Sequence, residues 1–299
     1  MTPDESDMER PAMNPLPEVE KRPGRLAFLA REAAAPAIVL TLFVVLWHLA
    51  VTLFSLRPFV LPSPAAVVSS FVSNFASIAQ AGAITAMSFV GGFMLAAVAG
   101  LALAVLIVAA PRIGRGIYPL LIASQTIPVI AIAPLLIIWL GFGLTVKVVI
   151  ASIIAFFPIV VSAVLGFRSV SATSIELMRS LPASRRAIFT KLFFPSALPT
   201  IFAGLRTGSV LSVVGAVVGE FVAGGDGLAS HIIIARSQFE TDRVMADILG
   251  LSLLGAAFYG LIAQIEYWAL PWTRLSVRRK RPLSQPSTAL QRAKEFTDA

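Results

Sequence analysis

Side chains able to do chemistry are scarce in this sequence of 299 residues. The absence of Cys excludes disulfides, thiolate catalysis, Cys-ligated zinc and iron–sulfur clusters. His48 and His231 are the only histidines, which is too few for most metal sites, and no P-loop pattern for binding ATP is present. No Ser/His/Asp set is apparent, because His231 falls in a predicted external loop. A membrane enzyme acting through Glu220, Asp247 or His231 is therefore the least favoured class, and no metal or other cofactor is expected in this chain.

Glu220 is the most conspicuous acidic residue, because it follows the apolar run 213–219 in a segment predicted to span a membrane. A carboxylate inside a membrane is costly and usually faces a wet cavity or a partner. Two interpretations are open: Glu220 gates or binds a substrate, or it caps loop amides around Gly224 and Gly225. Arg206 lies 14 residues earlier, roughly 21 Å along a helix axis, so the two cannot pair within one helix.

A second set of candidates is the polar group at a predicted helix break. Gln125 and Thr126 lie within one turn of Pro128, and proline in a spanning helix frees carbonyls and bends the helix, often beside a cavity. This face is the first candidate for a translocation path. The alternative is a kink whose free carbonyls are satisfied by neighbouring helices.

A basic segment, 168–199, interleaves cations with apolar residues and ends in prolines. A short helix from Ala183 to Phe194 would place Ile188, Phe189, Leu192 and Phe193 on one side, away from the cations. The segment either lies on anionic lipid headgroups or docks a protein partner. Its candidate residues are Glu176, Pro182, Ala183, Ser184, Arg185, Arg186, Phe189, Lys191 and Pro195.

The elements that position these residues are expected to lie in lipid. Hydrophobic residues make up 57% of the chain and charged residues 13%, about half the share that a soluble surface needs. About 20 apolar residues cross the hydrocarbon layer. Six stretches qualify: Ala35–Leu56, Ala83–Ala110, Tyr118–Leu140, Val148–Phe167, Ile201–Ala223 and Val244–Leu270. The predicted fold class is therefore all-α, a polytopic membrane protein.

The distribution of basic residues predicts the orientation. With a cytoplasmic N-terminus, 19 of the 24 Lys and Arg residues fall in cytoplasmic segments, four fall outside and Arg206 lies within a span. Positive charge favours the cytoplasmic side, so both termini are expected there. The four early spans contain no carboxylate, which disfavours a proton- or sodium-driven antiporter.

Two further patterns concern packing. Ser63 and Pro64 begin a predicted amphipathic helix through Gln80 that lies on the external membrane surface or packs on protein. Small residues recur four apart at Gly92, Ala96, Gly100 and Ala104, and similarly at 204–219, which favours close helix packing, within the chain or between two copies. The predicted organisation is a disordered cytoplasmic tail (1–32) containing too many early acids for a cleaved signal peptide, a transmembrane domain (33–272) and a basic cytoplasmic tail (273–299).

The segment 174–199 resembles the cytoplasmic loop of permease subunits of bacterial ATP-binding-cassette importers. Glu176 and Pro195 match the family's EAA pattern in position and Leu192 is conservative, whereas Leu177, Met178, Pro182 and Phe194 depart from it. The likeness covers about Arg57 to Trp272 and is strongest to the nitrate, sulfonate and taurine subfamily. It includes Leu61–Pro64, Gln125–Pro128, 133–143, 155–158, 204–206 and 218–220. Within that subfamily, 216–222 and 237–241 look most like permeases for thiamine-precursor pyrimidines.

That resemblance implies a non-catalytic subunit. Two permease copies would form the pathway, cytoplasmic ATPase subunits would bind ATP and Mg, and an external binding protein would deliver a small organic or anionic solute. The segment 182–191 would be the coupling helix that docks into the ATPase. The alternative from the residues alone is a stand-alone secondary carrier or channel, in which the same loop contacts only lipid.

Overall fold

The computed structural model describes residues 25–182 and 184–272, and gives side chains for all of these except 25–33 and 185. Both predicted tails lie largely outside this range. Within it, helices are the only regular secondary structure, in agreement with the predicted all-α class. In chain order they are α1 (Arg25–Leu53), α2 (Pro64–Ser73), α3 (Phe75–Ala109), α4 (Pro111–Ser124), α5 (Val129–Leu140), α6 (Leu144–Arg168), α7 (Ala172–Ser180), α8 (Arg185–Ile188), a π-helix (Phe189–Phe193), α9 (Phe194–Ala223), α10 (Leu228–Ser237) and α11 (Thr241–Ala269).

The chain divides into two compact units after Ser55. The described part of the first unit contains α1, which begins at Arg25 and therefore inside the stretch predicted as a disordered tail. The apolar part of this helix, Ala34–Leu53, is long enough to cross a membrane. The second unit contains α2 to α11, and all the contacts described below lie within it.

The core of the second unit is a set of long helices with a defined direction. Small residues of α3 approach α6 in increasing order along both helices, with Gly92 against Ala151 and Gly100 against Ile159, so α3 and α6 run parallel. Gly204 meets Ser162 and Gly215 meets Ala151, so α9 runs antiparallel to α6. Both predicted small-residue stripes are thus buried inside this chain, which confirms the intramolecular interpretation for them.

The predicted third span is not one straight helix. The pair α4 and α5 bends by 100° at the break between Ser124 and Val129. Five described helices are individually long and apolar enough to cross a membrane, and the bent pair is the sixth candidate. Because α3 and α6 are parallel, α4 and α5 together must return the chain to the starting end. The break falls at Pro128, as predicted, whereas α5 continues through Pro134 and α6 through Pro158.

The amphipathic helix predicted from Ser63 to Gln80 is divided in the structure. Ser63 caps α2 as expected, its Oγ accepting a hydrogen bond from the N–H of Ala66 at 3.2 Å. The helix ends at Asn74, however, and the following residues begin the long helix α3. Since α2 packs on α11 and buries Val67 and Ser70, the interpretation as a helix packed on protein holds for that face.

The fifth span begins earlier than expected. Pro195 lies in the first turn of α9, directly after the π-helix, and Pro199 lies inside α9 instead of ending the preceding loop. The candidate membrane span at this place extends from Arg186 through the π-helix to Ala223. The basic segment is therefore joined to the bundle core without a loop.

Candidate functional site

Glu220 is fully buried near the C-terminal end of α9. Its Oε2 accepts a hydrogen bond from the N–H of Ala229 at 2.9 Å, in the first turn of α10. A carboxylate at a helix N-terminus satisfies a free donor and complements the helix dipole. Glu220 therefore acts as a cap, which is one of the two roles predicted for it. The capped amide, however, belongs to α10 and not to Gly224 or Gly225. The Oε1 atom has no hydrogen-bond partner within the described residues.

Gly227 provides the room for this contact. Its φ of +141° is rarely adopted by residues with a side chain, and a Cβ placed there would collide with the carboxylate of Glu220. Thr85 of α3 completes the join, because its hydroxyl accepts from the N–H of Leu228 at 2.9 Å and donates to the carbonyl of Ala81 at 3.2 Å. One buried cluster therefore connects α3, α9 and α10.

Lys147, for which the sequence predicted no role, lies beside this cluster. Its side chain is 3% exposed, and Nζ donates to the carbonyl of Asp226 at 2.8 Å. The positive charge is close enough to act on the Glu220 carboxylate, although the two make no direct salt bridge among the described contacts. Lys147 thus holds the connection 224–227, and Glu220 holds the first turn of α10 that follows it. A cleft of about 470 Å³ opens beside it, with Phe142 and Leu144 on its other side.

A second polar cluster joins α10 and α11, where sequence reasoning expected no Ser/His/Asp set. The structure places His231 in α10 and not in a loop, with Nδ1 3.9 Å from the Oδ1 atom of buried Asp247. Arg243 contacts Oδ2 of Asp247 at 3.4 Å and donates to the hydroxyl of Ser77 at 3.0 Å. No hydrogen bond between Ser77 and His231 is present in this part of the chain. Ser77, His231 and Asp247 therefore do not form a nucleophilic relay.

The path candidates at the break between α4 and α5 are separate from Glu220. Gln125, Thr126 and Pro128 are exposed in the described chain. The hydroxyl of Thr126 donates to the carbonyl of Ala123 at 2.8 Å, which caps the end of α4. The structure therefore does not bring the four predicted path residues into one site.

The basic segment has an exposed side and a side that faces the bundle. Ile188, Phe189, Leu192 and Phe193 are half-buried, as the sequence predicted. Phe189 stacks on the buried Phe167 of α6, with ring centroids 5.7 Å apart and an interplanar angle of 29°. A cavity of about 640 Å³ lies between this face, α7 and the end of α3.

The other side of the segment is accessible. Exposed residues, called the loop surface below, are Glu176, Leu177, Arg179, Leu181, Pro182, Ser184, Arg186 and Lys191. Leu177 is 65% exposed and Leu181 53%, so apolar and basic groups alternate on the loop surface. Ser184 begins α8, since its Oγ accepts from the N–H of Ala187 at 3.2 Å. Arg185 is the first residue of α8, Pro195 is half-buried in the first turn of α9, and Ala183 lies outside the described residues.

Known proteins resemble this chain over most of its length. Residues 92–270 match the family described as the binding-protein-dependent transport system inner membrane component. The chain is 34% identical over 244 residues to the formylaminopyrimidine transport permease of Halalkalibacterium halodurans, covering 81% of this chain and 97% of that protein. It is 37% identical over 260 residues to the riboflavin transport system permease of Chloroflexus aurantiacus, covering 86% and 97%. Identity to the putative aliphatic sulfonates transport permease of Bacillus subtilis is 28% over 257 residues, covering 85% and 92%.

Proposed function

The chain belongs to the binding-protein-dependent transport system inner membrane component family, and from that premise we propose how it divides the work of import with its partners. It is a permease subunit of an ATP-binding-cassette importer and has no catalytic role of its own. The free energy comes from cytoplasmic ATPase subunits that bind ATP and Mg, and an external binding protein delivers the solute. A second copy of the chain completes the pathway, and both termini lie on the cytoplasmic side.

The observation that carries this proposal is the connection between the loop surface and the bundle. From Arg185 to Ala223 the backbone is helical without interruption, through α8, the π-helix and α9. A partner that moves the loop surface therefore moves α9 as well, because a helix transmits displacement along its axis. π-helical turns are frequent at functional sites, and this one lies at the junction of the loop and the spanning helix.

The chemistry of the loop surface suits a protein partner. Exposed Leu177 and Leu181 provide apolar area, while Arg186 and Lys191 provide cations around it. Such a mixture, with apolar contacts inside a polar rim, is typical of protein interfaces. We assign this surface, together with Arg185, to the docking of the ATPase, and the half-buried Phe189 and Pro195 behind it to coupling between that surface and the bundle.

The solute is proposed to be a small organic molecule of the nitrogen-heterocycle class. This assignment is based on the named solutes of two relatives, a formylaminopyrimidine and riboflavin, both planar ring systems with nitrogen acceptors. The exposed Gln125, Thr126 and Pro128 are proposed to line the path at the bend between α4 and α5. Glu220 is proposed to organise the outer end of the path through α10 and not to touch the solute, because its carboxylate is buried.

Charge reversal on the loop surface tests the docking role. Arg185→Glu combined with Arg186→Glu is expected to reduce recovery of the ATPase subunit with the permease at least fivefold, while membrane insertion is unchanged. The matched control is Arg236→Glu, an exposed cation of α10, which should leave recovery unchanged. Full ATPase recovery with both arginines reversed would contradict the assignment. Solute uptake by the permease alone, without ATP hydrolysis, would instead favour the stand-alone carrier.

A further inference from the structure

Arg206 and Glu266 form an ion pair between two spanning helices. The Nε atom of Arg206 in α9 lies 3.0 Å from Oε2 of Glu266 in α11. Arg206 lies in the second turn of the predicted span Ile201–Ala223, toward the end of the bundle that carries the basic segment. Charged side chains in such a position usually face a wet cavity or a partner. Here a partner is present, yet the side chain of Arg206 remains 36% exposed and that of Glu266 20%.

A cavity of about 450 Å³ opens at this exposed side of the ion pair. It is lined by Ala203, Arg206, Thr207, Val210, Leu211 and Tyr259. The lining thus combines the guanidinium of Arg206, the hydroxyl of Thr207 and the phenol ring of Tyr259 with aliphatic side chains. Small-molecule sites have this composition and a volume of about 300–1,000 Å³. None of the residues predicted as path candidates from the sequence contributes to it.

The lining has a defined chemical preference. A guanidinium carries five N–H donors, and the described contacts use only Nε of Arg206 for Glu266. The Nη groups are left to donate to acceptor atoms, and the ring of Tyr259 offers a flat apolar surface beside them. A planar solute with ring nitrogens or carbonyl oxygens would satisfy both features. A simple inorganic anion would use the guanidinium but not the ring.

We propose that this cavity is a solute-contacting subsite of the translocation path. Arg206 donates hydrogen bonds to acceptor atoms of a planar nitrogen heterocycle, Tyr259 packs on its ring, and Glu266 positions the guanidinium. The inference rests on the proposed function, because it assumes that solute passes along α9. It adds a binding role for Arg206 and Tyr259 that neither the composition nor the spacing of the sequence indicated.

Labelling of single cysteines tests whether the cavity is wet. The natural chain has no Cys, so each variant gives one signal without background. Thr207→Cys, in the cavity lining, is compared with Val98→Cys, which is 70% exposed on an apolar stripe of α3. In the complex with ATPase subunits, a membrane-impermeant methanethiosulfonate should modify the cysteine at position 207 at least tenfold faster than that at position 98. Equal slow reaction at both positions would overturn the proposal.

A double substitution separates binding from structural pairing. An ion pair that serves only structure can be replaced by apolar residues with little loss, so Arg206→Met with Glu266→Met would then retain uptake. A solute-contacting guanidinium predicts that this variant assembles with the ATPase but loses uptake at least tenfold. Tyr259→Leu should raise KM for uptake several-fold, whereas Tyr259→Phe, which keeps the ring, should not. Normal uptake by the double variant would refute the role of Arg206.

The probes for uptake are riboflavin and a radiolabelled aminopyrimidine, with the complex reconstituted in vesicles. If the wild-type complex hydrolyses ATP but takes up neither, the proposed solute class is wrong, and the same result contradicts the heterocycle preference of the cavity. If the ATPase does not copurify, the proposed function fails. If both probes are taken up and the cysteine at position 207 is unreactive, only the subsite is wrong.

Discussion

The ring of Phe189 stacks on the ring of Phe167, which joins the π-helix of the basic segment to the end of α6. Phe167 is 2% exposed and belongs to a buried apolar cluster that also contains Ile107, Val164 and Ile201. The stack therefore connects the loop surface with three helices of the bundle, α3, α6 and α9. A displacement of the loop surface would therefore be transmitted to α6 through this contact and to α9 through the continuous helix.

Removing this stack should uncouple ATP hydrolysis from transport. Phe189→Ala is expected to leave ATPase recovery unchanged, because Arg186 and Lys191 are untouched, while the amount of solute moved per ATP falls several-fold. An aromatic pair contributes about 0.5–1.5 kcal/mol beyond its buried area, so the fold should survive. The control is Phe194→Ala, a residue that is 44% exposed and outside the stack. Equal transport-to-hydrolysis ratios in the two variants would argue against transmission through Phe189.

Removing the carboxylate of Glu220 should destabilise the end of the bundle where α9 meets α10. Glu220→Ala leaves the N–H of Ala229 without its acceptor and Lys147 without the nearby opposite charge. An unsatisfied buried donor costs about 1–3 kcal/mol, so the unfolding midpoint in detergent should fall by several degrees. Glu220→Gln keeps an acceptor and should lose less. Glu240→Ala is the control, since Glu240 is exposed and its side chain makes no cap bond; an equal effect in both Ala variants would speak against the capping role.

Adding a methyl group at Gly227 should lower the stability by a comparable amount, because Gly227 packs against the carboxylate of Glu220. Gly227→Ala forces a side chain into a φ of +141° and into the carboxylate of Glu220, so a loss of more than about 1 kcal/mol is expected. At Gly116 of α4, no neighbouring atom lies within 4 Å of the position that a methyl group would take, and Gly116→Ala should stabilise its helix by about 0.5–1 kcal/mol. Thermal unfolding of both variants measures the difference. Similar midpoints for the two would contradict the geometry at Gly227.

Accessibility labelling should establish the orientation in the membrane. Because the chain has no Cys, Ser180→Cys on the basic segment and Gln238→Cys after α10 report the two sides of the membrane. In intact cells an impermeant maleimide should label position 238, and position 180 only after the membrane is opened. The opposite pattern would invert the topology predicted from the basic residues. Labelling of both positions in intact cells would show that the reagent had entered.

The all-helical class and the approximate positions of the apolar spans followed largely from composition. Apolar runs of about 20 residues have few alternatives to a helix in lipid, where every backbone group must be bonded internally. The apolar core of each span was therefore predictable, as was the division of the basic segment into a buried and an exposed side. Helix ends were less predictable: α9 passes through Pro199, and α3 begins at Phe75, because packing partners override local start signals.

The sequence by itself determined that this chain is a polytopic membrane protein of the importer permease type, since hydropathy and motifs are properties of neighbouring residues. Tertiary structure decided which polar side chains meet. Arg206 finds Glu266 60 residues away, and the hydroxyl of Thr85 reaches the N–H of Leu228 across 143 residues. Sequence spacing could exclude a pair of Arg206 with Glu220, but it could not supply these partners. They depend on the direction and rotation of helices in the bundle, which close contacts of small residues between α3, α6 and α9 fix.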